Sequence, residues 1–233
     1  MGARDLRMKT GSSSETEIHD CWHRNSASWT TAVRGGRIES RRLTTDQAVV
    51  DAILSRAPRS VIDIGCGEGW LARALAPHGV DVLGLDRVPS FIEQARQAGG
   101  GEFHLTSYEA IAAGEVNARA DLAVCNFSLL GKESVETLFA AIPSLLNPGG
   151  SFVVQTLHPV AACGEFAYHD GWREGSWDGF GDEFIAPAPW YYRTLESWTG
   201  LFLDSGFHLC EVREPKHPRS GTPLSVVFIA EPT

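Results

Sequence analysis

A short turn near the end of the chain's first third gathers the residues whose types and spacing could do chemistry. Val61-Ile62-Asp63-Ile64 runs into Gly65-Cys66-Gly67-Glu68-Gly69, and Asp86 follows Asp63 by 23 residues. Glycines at alternate positions let a backbone approach a ligand closely and take up positive φ. The turn opens into a segment of helical pattern, whose first N–H groups have no partner within the helix. A carboxylate at Asp86, the end of the next predicted strand, can accept two hydrogen bonds from ribose hydroxyls. The chemistry implied is the holding of a nucleoside.

Two nucleoside cofactors use such a turn. A dinucleotide needs GxGxxG, whose third glycine allows helix and strand to pack beside the pyrophosphate. Here the third glycine comes one residue early and Trp70 takes the sixth position. A carboxylate at Asp63 would repel a pyrophosphate, whereas it attracts a cationic amino group. S-adenosylmethionine (SAM) has no phosphate and carries an ammonium and a sulfonium, so the Asp63 context favours SAM, with S-adenosylhomocysteine as product. An NAD(P)-dependent oxidoreductase and a catalytically silent SAM-binding module stay open as alternatives. No metal site is predicted: the five cysteines, Cys21, Cys66, Cys125, Cys163 and Cys210, include no CxxC pair.

These residues need a scaffold that brings strand ends together. Residues 1–17 read as a disordered leader, with Gly11-Ser12-Ser13-Ser14 flexible. Helical spacing follows over 18–33 and again over about 45–56. Strands are predicted at 60–64, 81–86, 102–105, 121–127 and 151–157. Helices separate them at 70–78, 90–98 and 133–146, the last broken by Pro143. Such alternation predicts an α/β doubly wound, mostly parallel sheet. After a helix at 195–204, two strands at 207–213 and 224–231 have no crossover helix between them and must pair antiparallel.

The residues quoted, together with Asp121–Phe127, Leu146-Asn147-Pro148-Gly149-Gly150 and the Tyr192–Leu195 to Gly206-Phe207 segment, resemble the class I SAM-dependent methyltransferases over about residues 45–233. The closest resemblance is to the small-molecule subgroup often labelled "type 11". That resemblance implies a seven-stranded Rossmann-like sheet with an antiparallel terminal strand. It implies that Asp63, Gly65, Cys66 and Gly67 face the methionine part of SAM, that Asp86 takes the ribose and that Arg87 flanks the adenine. Ser107 and Tyr108 would line the adenine pocket, where the family often has an acid, and Asn126 and Phe127 would lie beside the methyl donor. In similar enzymes an N-terminal helical segment closes over SAM, which makes 18–58 a helical lid and points to Arg41, with Trp29, as the holder of the carboxylate. The core is then 59–233. Asn/Asp-Pro-Pro-aromatic, typical of nucleic-acid and protein-glutamine N-methyltransferases, is replaced by Cys125-Asn126-Phe127-Ser128.

One stretch falls outside this plan. Residues 158–192 hold nine of the 22 aromatics, six acids and one base, Arg173. A 35-residue connection is long for a compact domain and favours a functional insertion. Its aromatics could cage a substrate, and its charge suits a neutral or cationic, partly apolar small molecule. His158, directly after a strand, is the first candidate general base and His169 the second. Methyl transfer to an oxygen or nitrogen by in-line displacement can also run on alignment alone.

Composition narrows the partners. The 233 residues carry a net charge of −9 and 43% apolar residues, as in one large soluble domain. No basic stripe suited to phosphates is present apart from Arg34–Arg42, which argues against a nucleic-acid partner. No apolar run approaches the roughly 20 residues of a membrane helix, and the polar N-terminus does not read as a secretory signal. Reduced thiols in a cytoplasmic protein are the expectation.

Overall fold

The structure, a computed structural model, describes residues 11–233, with side chains from residue 14. Seven strands form the sheet: β1 Ser60–Ile64, β2 Asp81–Asp86, β3 Glu102–Leu105, β4 Ala120–Asn126, β5 Leu146–Leu157, β8 Phe207–Arg213 and β9 Ser225–Pro232. A separate hairpin holds β6 Gly171–Arg173 and β7 Trp190–Tyr192. The sheet order is β3-β2-β1-β4-β5-β9-β8. β9 runs antiparallel to both β5 and β8, and the other pairings are parallel. This is the expected fold class, and the terminal pair is antiparallel for the expected reason: no helix lies between its strands.

Helices cover both faces. β1 shows why: Ile62 and Ile64 point into one core layer and Val61 into the other, so the strand is apolar on both sides. α2 Asp46–Leu54, α3 Trp70–Leu75 and α4 Pro89–Ala98 bury Ile53, Leu71 and Ile92 against one face. α6 Glu133–Ala141 and α8 Leu195–Asp204 bury Phe139, Trp198 and Phe202 against the other, with Ile111 of the short α5 Tyr108–Ala112. Pro143 ends α6 in a 3₁₀ turn, Ile142–Leu145. The Pro148-Gly149-Gly150 turn is absorbed into β5 as a shift in register, Ala120 pairing Leu146 and Leu122 pairing Ser151.

The N-terminal part differs from expectation. α1 is a single helix, Gly11–Arg34, so residues 11–17 are its first turns and not part of a disordered leader; residues 1–10 lie outside the described residues. Ser and Gly have low helix propensity, and tertiary contact overrides it: Glu15 Oε1 accepts from the backbone N–H groups of Lys132 and Ser134 at 2.9 and 3.1 Å. Farther along, Asn25 Nδ2 donates to Ile185 O at 2.8 Å and Asn25 Oδ1 accepts from Ile185 N at 2.9 Å. Trp22 meets Trp177 edge-on and Trp29 stacks on Phe180. α1 and the 158–192 insertion, which also contains α7 Pro159–Cys163, therefore pack on each other above the carboxyl ends of the strands.

Phe202 touches the rings of Phe139, Phe152, Phe207 and Phe228, with centroids 5.0–6.2 Å away. Phe202→Ala should cost about 3–5 kcal/mol through lost burial and a cavity, read as a lower urea midpoint at unchanged slope.

Candidate active site

The glycine turn links β1 to α3 at the point where strand order reverses, β2 lying on one side of β1 and β4 on the other. Open α/β sheets bind ligands at this crevice. Gly65 (φ +79°) has no room for a side chain: a Cβ there would come 2.3 Å from Ser128 Cβ, in the loop after β4. Gly67 (φ +54°) is the reverse, with no protein atom within 4 Å of where its Cβ would stand. The turn is pinned from behind. Gly65 N and Cys66 N donate to Leu85 O at 2.7 and 3.1 Å. Asp86 accepts from Gly67 N and Val88 N, one on each oxygen, both at 2.9 Å. Each oxygen keeps a further lone pair for a ligand.

Three carboxylates sit within or beneath this turn. Glu68 is 1% exposed and is held by Arg73 through both oxygens at 2.6 and 2.7 Å and by Arg34 of α1 at 2.7 Å. Neither arginine was singled out for this from the sequence. Arg73, five residues beyond the acid in the glycine loop, was the local signal; Arg34, 34 residues before it, gave none. Asp63 is 2% exposed and has no such partner: its Oδ2 is buried without a hydrogen bond. Burial, and then the nearby Asp86 charge, raise its pKa to about 7. Burial also raises Asp86, against the N–H groups that lower it.

A cavity of about 430 Å³ opens in front of the turn. Ten of the expected residues line it: Gly65, Cys66, Gly67, Asp86, Arg87, Tyr108, Asn126, Phe127, Trp29 and Arg41. Phe127 takes φ +54°, a strained value for a bulky residue, directly at the strand end. Tyr108 donates its hydroxyl to Ser128 O at 3.0 Å, and burial holds its proton on well above the usual range. Arg41 lies over the rings of Trp70 and Trp29, its carbon 4.6 and 5.9 Å from their centroids. Its Nε donates to Asp46 Oδ1 at 2.9 Å, while Nη2 is buried with no hydrogen-bond partner.

Four expected site residues lie off the cavity wall. Asp63 stands behind the turn. Ser107 caps α5 instead, its Oγ accepting from Ala110 N at 3.2 Å. His158 is 3% exposed and its Nε2 lies 2.8 Å from Glu214 Oε1, away from the wall. His169 is exposed and bonded locally to Asp170 O. A position next to a strand end does not fix which way a side chain turns, and both imidazoles turn elsewhere. The insertion contributes Trp177, Phe180, Trp190 and Tyr191 to the wall, but none of its six acids. Glu183, for one, pairs with Arg37 and Asp170 accepts from Thr194 N. Residues the sequence did not single out also reach the wall: Glu15, His19 and Thr45, the last with a buried hydroxyl that has no partner. Glu15 fell inside the expected leader. Thr45 closes a π-helical turn, Arg41–Thr45, for which sequence periodicity holds no signal.

Among the described residues, one trio could hold a metal ion, His208, Cys210 and Glu231, at the sheet edge and far in sequence from the turn; Glu231 is already paired with Arg56. No helix among the described residues is long and apolar enough to cross a membrane.

A family model described as "Methyltransferase domain" matches residues 39–212. The ubiquinone biosynthesis O-methyltransferase of Cupriavidus pinatubonensis is 31% identical over 113 residues, 47% of this chain and 45% of that protein. The chain thus matches about half the length of such curated relatives. The 1,6-didemethyltoxoflavin-N1-methyltransferase of Burkholderia thailandensis, solved with 1,6-didemethyltoxoflavin and S-adenosylhomocysteine, aligns over 99% of this chain and 93% of its own at 19% identity and a TM-score of 0.69. A SAM-dependent methyltransferase of Mesorhizobium loti aligns over 77% and 95% at 24% identity and a TM-score of 0.58. The shared fold is what these two likenesses carry.

Asp63 gives a testable pH dependence. Its folded pKa of about 7 exceeds the ordinary aspartate value of 3.8, so the folded state binds this proton more tightly than the unfolded chain. The resulting stability is present at low pH and lost as pH rises from about 4 through 7. Asp63→Asn removes that titration. The stability of the wild type relative to Asp63→Asn, from urea melts without ligand, should fall by roughly 2–3 kcal/mol between pH 5 and pH 8. A flat difference would show that Asp63 stays ionised and is compensated.

Proposed function

The chain belongs to the methyltransferase-domain family, and from that premise we propose that it is a SAM-dependent methyltransferase acting on an oxygen or nitrogen of a small organic molecule. The observation that carries the reading is a pair of buried polar atoms left without a hydrogen bond near one glycine turn: a carboxylate oxygen on Asp63 and the Nη2 of Arg41, whose Nε alone is taken by Asp46. A nucleoside bearing an α-amino acid has the matching pair, an ammonium and a carboxylate. A nicotinamide dinucleotide would bring pyrophosphate to the same turn, where Asp63 and Asp86 oppose it.

On this reading each wall residue has a task. Arg41 Nη2 donates to the amino-acid carboxylate, and Trp29 and Trp70 hold the guanidinium plane. Asp63 acts through the turn as the countercharge to the ammonium. The spare lone pairs of Asp86 accept from the ribose hydroxyls, and Arg87 and Tyr108 border the base. When bound, SAM supplies an electrophilic methyl group on its sulfonium. Asn126 and Phe127, at the end of β4 across from Gly65, border the acceptor. Neither His158 nor His169 reaches the wall, and His19, which does, lies on α1 beside Asp20, so the protein's contribution on this reading is alignment and exclusion of water.

The substrate reading is a flat, partly apolar molecule, supported by the aromatic wall from α1 and the insertion. The preference for a neutral or cationic molecule rested on acids that do not line the cavity. Helix α1, the π turn and the insertion together would be the lid through which cofactor and substrate pass. A cytoplasmic setting is part of the proposal, supported by five unpaired cysteines.

Calorimetric titration with S-adenosylhomocysteine tests the reading, and no binding at millimolar concentration would sink it. Arg41→Gln should weaken S-adenosylhomocysteine by roughly 10- to 100-fold, the worth of a hydrogen bond between charged groups. It should leave 5′-methylthioadenosine, which has no amino-acid portion, within about twofold. Release of S-adenosylhomocysteine from SAM with phenols and heteroaromatics separates an enzyme from a silent binding module.

A further inference from the structure

The side chain of Asn126 is oriented by a relay that leaves no freedom of assignment. Thr45 O is a carbonyl and can only accept. Gln155, 1% exposed in the apolar run of β5, lies with its Nε2 2.9 Å from it, so that atom is the amide nitrogen. The same Nε2 lies 2.8 Å from the Asn126 amide, which must therefore offer its oxygen there. Ser225 Oγ donates to Gln155 Oε1 at 3.3 Å and completes the lock. Asn126 lines the cavity, and its Nδ2 has no partner among the described residues. Two N–H donors are thus held ready at the carboxyl end of β4, beside the glycine turn, and the group they face must accept.

We propose that Asn126 is the acceptor-side recognition residue and that it takes an oxygen in its anionic form, a phenolate or enolate carried on a flat apolar ring. This rests on the methyltransferase reading above. An N–H donor at the oxygen stabilises the anion over the neutral phenol, which replaces the base that His158 does not provide. The phenol has given its proton to water. The bond that forms joins this oxygen to the methyl carbon, and the carbon–sulfur bond breaks with its electron pair left on sulfur. An ammonium, which has no lone pair and only N–H groups to present, meets the same donors unfavourably. The wall's other charges are of both signs: Glu68 is neutralised by two arginines, Asp86 and Glu15 each accept from two backbone N–H groups, and Arg41, Arg87 and Arg193 bring positive charge to the same cavity. Gln155 does not reach the cavity and acts as a positioning residue through Asn126.

The test uses the full chain saturated with S-adenosylhomocysteine and two probes, 4-nitrophenol, whose ionised form is coloured, and benzylamine, a cation at neutral pH. The wild type should bind 4-nitrophenol as the phenolate, with its ionisation midpoint lowered, and bind benzylamine at least about tenfold more weakly. Asn126→Asp keeps an oxygen for Gln155 and turns an oxygen to the cavity, so it should raise the midpoint and reverse the order of the probes. Gln155→Glu has at most one proton for both Thr45 O and Asn126; with folding confirmed by near-ultraviolet circular dichroism, it should turn the Asn126 amide over and shift the midpoint in the same direction. Benzylamine binding the wild type as well as 4-nitrophenol, no binding of 4-nitrophenol at all, or a midpoint indifferent to both substitutions would overturn the assignment. Failure of the wild type to bind S-adenosylhomocysteine would instead strike the methyltransferase reading itself.

Discussion

Negative charge without a counter-ion, buried under a backbone turn, is the constraint around which this molecule is arranged. Asp63, Glu68 and Asp86 crowd the crevice where the sheet reverses order. Of the three, Glu68 alone is held in ion pairs, while Asp86 has Arg87 only at a distance. Asp86 is answered by neutral N–H groups and Asp63 Oδ2 by nothing, and the two raise one another's cost of ionisation. A chain selected for stability alone would have placed an apolar residue at 63, where Val61 on the same strand and the β4 partner Val124 are fully buried. Strain of this kind is retained where a ligand relieves it. A cation in the cavity would lower the energy of both carboxylates together, which on the proposed reading links cofactor binding to local stability.

The arginines show how the same crevice is tied to its cover. Arg34 reaches from the last turn of α1 to Glu68 in the turn and to Gln94 O of α4. Glu15, at the other end of that helix, is bonded to the start of α6. Between these anchors the middle of α1 packs on the insertion through Asn25, Trp22 and Trp29. The cover is therefore fixed at its ends to the sheet's helices and in its middle to the insertion. Aromatic contacts in the middle are individually weak, and the buried Asn25 pair with Ile185 supplies direction to them.

Much of this was legible in the sequence because the signals were local. The β-branched run before a triple glycine, the acid 23 residues later and the absence of a helix between the last two strands each fix a short piece of geometry. Ten of fourteen expected site residues line one cavity for that reason. What was not legible depended on contacts far apart in the chain. Gly11-Ser12-Ser13-Ser14 is helical because of what Glu15 meets 117 residues away, and His158 turns to Glu214 across the β8–β9 connection. The acids of the insertion face outward, which composition cannot tell. Gln155 was visible as a lone polar residue within Val153-Val154-Gln155, yet its consequence depends on a partner 110 residues away.

That partner, Thr45, joins the two halves of the site. It is the last residue of the π turn that begins at Arg41, and the N–H of Asp46 returns to Arg41 O across that turn. An α-helical turn would close one residue sooner and would rotate either Arg41 or Thr45 relative to the cavity. With the wider turn, both residues reach the wall: Arg41 has its unpartnered Nη2, which the proposed reading gives to the cofactor, and Thr45 O fixes Gln155 and, through it, Asn126, which that reading gives to the acceptor. Donor and acceptor halves thus share one backbone segment at the root of the cover. A backbone movement of this turn would displace the Arg41 side chain and the Thr45 carbonyl together, which on the proposed roles couples the two halves of the site.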